Sequence, residues 1–177
     1  MKIAKALKLK NRLAGEVARL KGIALANNSR EESQESNYDI HELVTSGLPK
    51  RVSELVTVKT IIACSNAGYE IAGSAIPVDL AGLARTPYWA IFMIAELKGL
   101  IQSLGEMPTK NGHFNEHRGY GLGNVEPKPV VYVAAVKQPD VDRLVANYQT
   151  QIDELQDALD AHNATFSDCT LLDGITV

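Results

Sequence analysis

From residue 141 onward, Val141, Val145, Tyr148, Ile152, Leu155, Leu159, His162 and Phe166 recur at alternating steps of four and three residues. Such a heptad seam stays on one face only in a long helix, which the spacing predicts over residues 140 to 166. The intervening positions include Asn147, Gln149, Gln151, Asp153, Glu154, Gln156, Asp157 and Asp160. A narrow apolar stripe therefore faces a partner helix while the remaining surface meets water. The seam residues from Val141 to His162 are accordingly candidate interface positions, in the same chain or in a second copy.

Three further helices are expected. Ile3, Ala6, Leu13, Val17, Leu20 and Ala24 keep a compatible spacing over residues 2 to 28, and Leu7, Ala14 and Ile23 widen the stripe enough for two neighbours. Residues 39 to 46 suggest a short helical turn. A long helix is then predicted to start at Pro49, because proline suits the first helical position. Leu48, Val52, Leu55, Ile62, Asn66 and Tyr69 carry its seam, through the β-branched run Val56 to Ile62 that locally favours strand. Thr86 as cap and Pro87 as first residue open another helix, from Tyr88 to Leu104, which Gly105 ends. It is expected to be the most buried of the four.

The connections divide by composition. Residues 27 to 37 read as a polar mobile loop, and Gly68 to Pro77 as a Gly- and Ser-punctuated connection. Residues 106 to 128 form a long Gly- and Pro-rich insertion. Val130 to Val136 reads as one strand, within a short β element at about 129 to 136. A lone strand cannot satisfy its own backbone, so it must pair with the preceding loop or with another subunit.

Charge is distributed unevenly within a net −3. Residues 1 to 28 hold seven Lys or Arg against Glu16, while residues 140 to 160 hold six acids against Arg143. Both patterns oppose the helix macrodipole, and antiparallel pairing of the first and last helices would offset the two misfits. The mild overall charge and a hydrophobic fraction of 45% exclude a basic nucleic-acid binder and a charged disordered tail. Lysines at 2, 5, 8 and 10 without an apolar run behind them predict no secretory signal, and hence a cytoplasmic protein whose Cys64 and Cys169 are free thiols. The stretch from Tyr88 to Ala95 is too short to span a membrane, since Glu96 and Lys98 interrupt it.

Several motifs invite chemical readings. His113-Phe114-Asn115-Glu116-His117 spells H-x-x-E-H, in which two histidines one helical turn apart can hold zinc. The flanking Asn111-Gly112 and Gly119-Tyr120-Gly121 disfavour the required helix, so His113 and His117 are expected to belong to a polar loop. Arg118-Gly119-Tyr120-Gly121 matches the opening of an RNA-binding strand, but the match ends at Gly123 and Val125. Gly119, Gly121 and Gly123 precede a strand, whereas a phosphate cradle leads from a strand into a helix. Asn27, Asn66 and His162, at or near seam positions, read as buried polar groups that fix register.

Three stretches together resemble a family of uncharacterised bacterial proteins labelled septicolysin-like. They are Met1 to Leu7 running on to Asn27; Leu80-Ala81-Gly82-Leu83-Ala84-Arg85; and Val131-Tyr132-Val133 with Pro139-Asp140-Val141 through Leu155 to Asn163. Ala164 stands where the family usually has tryptophan after the last asparagine. The resemblance implies a helical, self-associating protein, and the family label implies membrane damage.

The combined expectation is a mainly α protein, an antiparallel helical bundle of four long helices in one domain over residues 1 to 177, with one short β element. The function expected is that of a non-enzymatic homo-oligomer without cofactor, nucleic acid or stable membrane insertion. A membrane-active cytolysin is the alternative, and a zinc hydrolase acting through His113 and His117 is third.

Overall fold

The structure, a computed structural model, describes residues 3–66, 86–116 and 128–165. It is mainly helical with a small antiparallel sheet, as the sequence predicts. In chain order the elements are α1 (Ile3–Asn27), β1 (Ser29–Glu31), α2 (Ile40–Glu42), a π-helical turn (Leu43–Gly47), α3 (Leu48–Asn66), α4 (Pro87–Gly105), β2 (Gly112–Glu116), β3 (Lys128–Ala134) and α5 (Gln138–Thr165). The connection 68–77, the Leu80–Arg85 stretch, His117, the glycines at 119, 121 and 123, Phe166 and Cys169 lie outside the described residues.

The long helices pack in sequence order: α1 on α3, α3 on α4, and α4 on α5. Side chains give their directions. Arg51 near the start of α3 lies 3.4 Å from Glu16 of α1, and Leu48 shares a small cavity with Ala24, so α1 and α3 are antiparallel. Cys64 at the end of α3 shares a cavity with Tyr88 at the start of α4 and His162 at the end of α5. Adjacent helices therefore alternate in direction. The expected antiparallel pairing of first and last helices along their lengths is not found, because α1 and α5 are not among the closely packed pairs. The inner helices α3 and α4 lie between them, and near one end Tyr148 of α5 shares a small cavity with Lys21 and Ala24 of α1.

Both inner helices are covered on two sides, and α3 is the more buried: eight of its residues are buried against six in α4, a helix of equal length. This corrects the expectation that α4 is the most buried. Leu55, Val52 and Val56 at its centre are at most 2% exposed, and each contributes roughly 1.5–3 kcal/mol by leaving water. That burial overrides the strand preference of the β-branched run. The run's hydroxyls also find local partners, Thr57 donating to the Ser53 carbonyl and Thr60 to the Val56 carbonyl.

The helix containing Pro49 does not begin there. Helical structure starts at Ile40, where the Asp39 carboxylate accepts the Glu42 N–H as an N-cap, and it runs through the π turn into α3. Proline lacks an N–H and its ring crowds the carbonyl four residues back; a widened turn, in which Leu48 N–H donates to the Leu43 carbonyl, accommodates it within a continuous helix. The start of α4 is as the sequence predicts: the Thr86 hydroxyl accepts from Trp89 N–H and Pro87 takes the first turn.

The sheet has the order β1-β3-β2. β3 pairs with the preceding loop, as β2, and also with residues expected to be a mobile loop, as β1. The polar turn formers at 29–31 fold as strand because β3 supplies the missing partner. Gly112, at φ +110°, admits the chain into β2 from a backbone conformation that other residues rarely adopt.

Candidate functional site

The strongest convergence of polar groups lies where α1 ends and α5 begins. Asn28 is fully buried. Its side-chain amide donates to the Pro108 carbonyl at 2.8 Å and the Val136 carbonyl at 2.9 Å, while its Oδ1 accepts from Val136 N–H at 2.8 Å. Its own N–H donates to the Ala24 carbonyl, and its carbonyl accepts from Ala135 N–H. One side chain thus joins the end of α1, the segment after α4 and the approach to α5. The seam spacing predicts Asn27 as the buried amide, but Asn27 is only partly buried and its side chain donates back to the Ile23 carbonyl. Asn28 lies one four-residue step beyond Ala24 on the buried face of α1, a placement the spacing makes legible.

Beside this clasp the sheet carries a small aromatic cluster. Phe114 and Tyr132 meet edge to face with centroids 5.7 Å apart, and Lys110 Nζ lies 5.8 Å from the first ring centroid and 5.3 Å from the second. The antiparallel register explains the contact, since Phe114 opposes Val130, and Tyr132 lies two residues further along the same face. The ammonium over both rings already uses their electron-rich faces. His113 is exposed on β2. Residues 113 to 116 are strand, neither a loop nor the helix that H-x-x-E-H requires, so His113 has no zinc-protease geometry. Among the described residues no group of three or more His, Cys, Asp and Glu could hold a metal ion.

At the opposite end, Cys64, Thr86, Pro87, Tyr88, Ile91, His162 and Asn163 surround a cavity of about 420 Å³. The Cys64 thiol is buried and free, and burial pushes its pKa up, so it is protonated and weakly nucleophilic near neutrality. His162 and Asn66 are exposed, in contrast to the expectation of buried register-fixing groups. The remaining seam positions grade along α5: Val141, Tyr148 and Ile152 are buried, whereas Val145, Leu155 and Leu159 are half-buried.

Between the ends, Lys59 Nζ and Glu96 Oε1 form a 2.6 Å ion pair with side chains 26% and 16% exposed. Lys59 also lies 5.8 Å from the centroid of Phe92. Lys21 donates to the Gly99 carbonyl at 2.9 Å, an approach that leaves little room for a side chain at 99. Burial lowers the Lys21 pKa, and the nearby Glu96 opposes that shift. These groups connect α1, α3 and α4 without converging on an open cleft.

No helix among the described residues is long and apolar enough to cross a membrane. Compared with known proteins, the chain matches no family model, no curated protein and no solved structure.

Proposed function

We propose that this is a non-enzymatic, self-associating helical protein of the cytoplasm, acting as a scaffold or interaction module. The observation that carries the reading is the apolar surface of the outer helices. Ile3 and Leu7, one turn apart on α1, are 43% and 42% exposed, and the distal seam of α5 is only half covered at Leu155 and Leu159. Apolar residues aligned along a helix face ask for a partner in a way that scattered ones do not. The buried, protonated Cys64 favours a reducing compartment and counts against nucleophilic catalysis. The likeness to septicolysin-like proteins implies the same helical, self-associating character.

Mass in solution tests the proposal. Light scattering is expected to give more than one copy per particle, and Leu7→Glu to lower the mass while helical circular dichroism is kept. A monomer over the whole range up to about 1 mM, the limit of weak association, would overturn it. So would dye release from liposomes by the folded protein, which would favour the cytolysin reading.

A further inference from the structure

We propose that the partner is a second copy of this chain, held by the basic face of α1 lying antiparallel on the acidic face of α5 of the other copy, and the reverse. This rests on the self-association reading and specifies its interface. Lys5, Lys8, Arg12 and Arg19 follow one another at steps of three, four and seven, which places them on one face of α1, and all four are exposed. Arg12 approaches Glu16 at 3.8 Å, and among the described residues Lys5, Lys8 and Arg19 have no ion pair. On α5, Asp153, Asp157 and Asp160 are similarly exposed along one face, with Glu154 nearby. Gln149 and Gln156 donate to Asp153 and Asp160, but no cation of the described chain reaches these acids.

Within one chain this complementarity is not used, because α3 and α4 separate the outer helices. Each copy therefore presents both a basic helix and an acidic helix. A two-fold axis satisfies both at once, since the α1-to-α5 contact made by one copy is repeated by the other. Antiparallel alignment sets the basic start of α1 beside the acidic end of α5, so each charge cluster offsets the other's misfit with the helix dipole. With α1 and α5 of similar length, matched ends bring Lys8 and Arg12 level with Asp157 and Asp160. Ile3 and Leu7 flank the other side of the α1 surface. Between the two edges Asn11, Gly15, Ala18 and Gly22 are small and exposed, so an approaching helix meets no bulky side chain there.

Charge reversal with rescue decides the matter. One variant carries Lys8→Glu and Arg12→Glu, the other Asp157→Lys and Asp160→Lys; all four positions are exposed, and circular dichroism checks the fold. Each variant alone opposes like charges in both contacts, and its dimer dissociation constant is expected to rise roughly a hundredfold. Mixed in equal amounts, the two make complementary contacts on both sides, and dimers are expected to return in light scattering. Dimers that persist in either variant would overturn this interface while leaving self-association standing, as would two monomeric variants that fail to associate on mixing. A monomeric parent protein would overturn both proposals. If a doubly reversed variant does not fold, a double-mutant cycle on Lys8→Ala and Asp160→Ala gives the decision: coupling supports the contact and strict additivity overturns it.

Discussion

The two ends of the bundle treat polar groups in opposite ways. At the end closed by Asn28, one buried amide takes up three backbone groups from two distant segments. At the end near Cys64, the helix termini surround a cavity, and His162 and Asn163 stand exposed on its rim. Satisfaction of buried backbone makes a region intolerant of substitution, whereas a cavity leaves room for change.

The largest expected effect lies at the closed end. Asn28→Ala removes three hydrogen bonds and strands the buried N–H and carbonyl of Val136, which is expected to cost about 3 kcal/mol in denaturant melts. A cost below about 1 kcal/mol would erase the distinction between the ends. Leu155→Ala, towards the open end, is expected to cost about 1–2 kcal/mol. That is less than a fully enclosed leucine would lose, because its surroundings are half open.

Alkaline titration sharpens the contrast further. Burial raises the pKa of Tyr148, near the closed end, and of the Cys64 thiol at the open end. A raised folded-state pKa gives stability that is complete below the unfolded value and lost as pH rises through the folded one. The melting temperature should therefore fall above the ordinary ranges of 9.0 for the thiol and 10.0 for the phenol. Cys64→Ala should remove the first part of the fall and Tyr148→Phe the second. An unchanged profile in both variants would mean that neither group loses its solvation on folding. Smallest of all, Asp157→Ala on the outward face of α5 is expected to change monomer stability by less than about 0.5 kcal/mol. A loss equal to that of Leu155→Ala would reverse the assignment of the two faces.

Helices were the legible part of this chain, because their signals are local and repeated. The Thr86-Pro87 start and the buried positions Ala6, Leu13, Val17 and Ala24 follow from spacing and capping alone. What spacing could not give was which helix lies beside which. The complementary charges of the outer helices suggested a pair, but burial of α3 on two sides places it and α4 between them. β1 was hidden for a related reason: Ser29, Arg30 and Glu31 have no strand signature of their own and become strand only because β3 lies alongside. Asn28 shows the same limit at a single residue. Its position on the stripe was readable, but its partners lie 80 and 108 residues away.

The distance spanned by the Asn28 clasp has a kinetic consequence. The helix pairs α1–α3, α3–α4 and α4–α5 join segments consecutive in the chain, so each can dock after closing only a modest loop. Asn28 and Val136 must instead close a separation of 108 residues, and their bonds gain nothing until the helices have brought them together. Helix docking is thus expected to come first and the clasp last. Breaking the clasp should then quicken unfolding while refolding keeps nearly its parent rate, so that one amide governs how long the native state lasts rather than how fast it is reached.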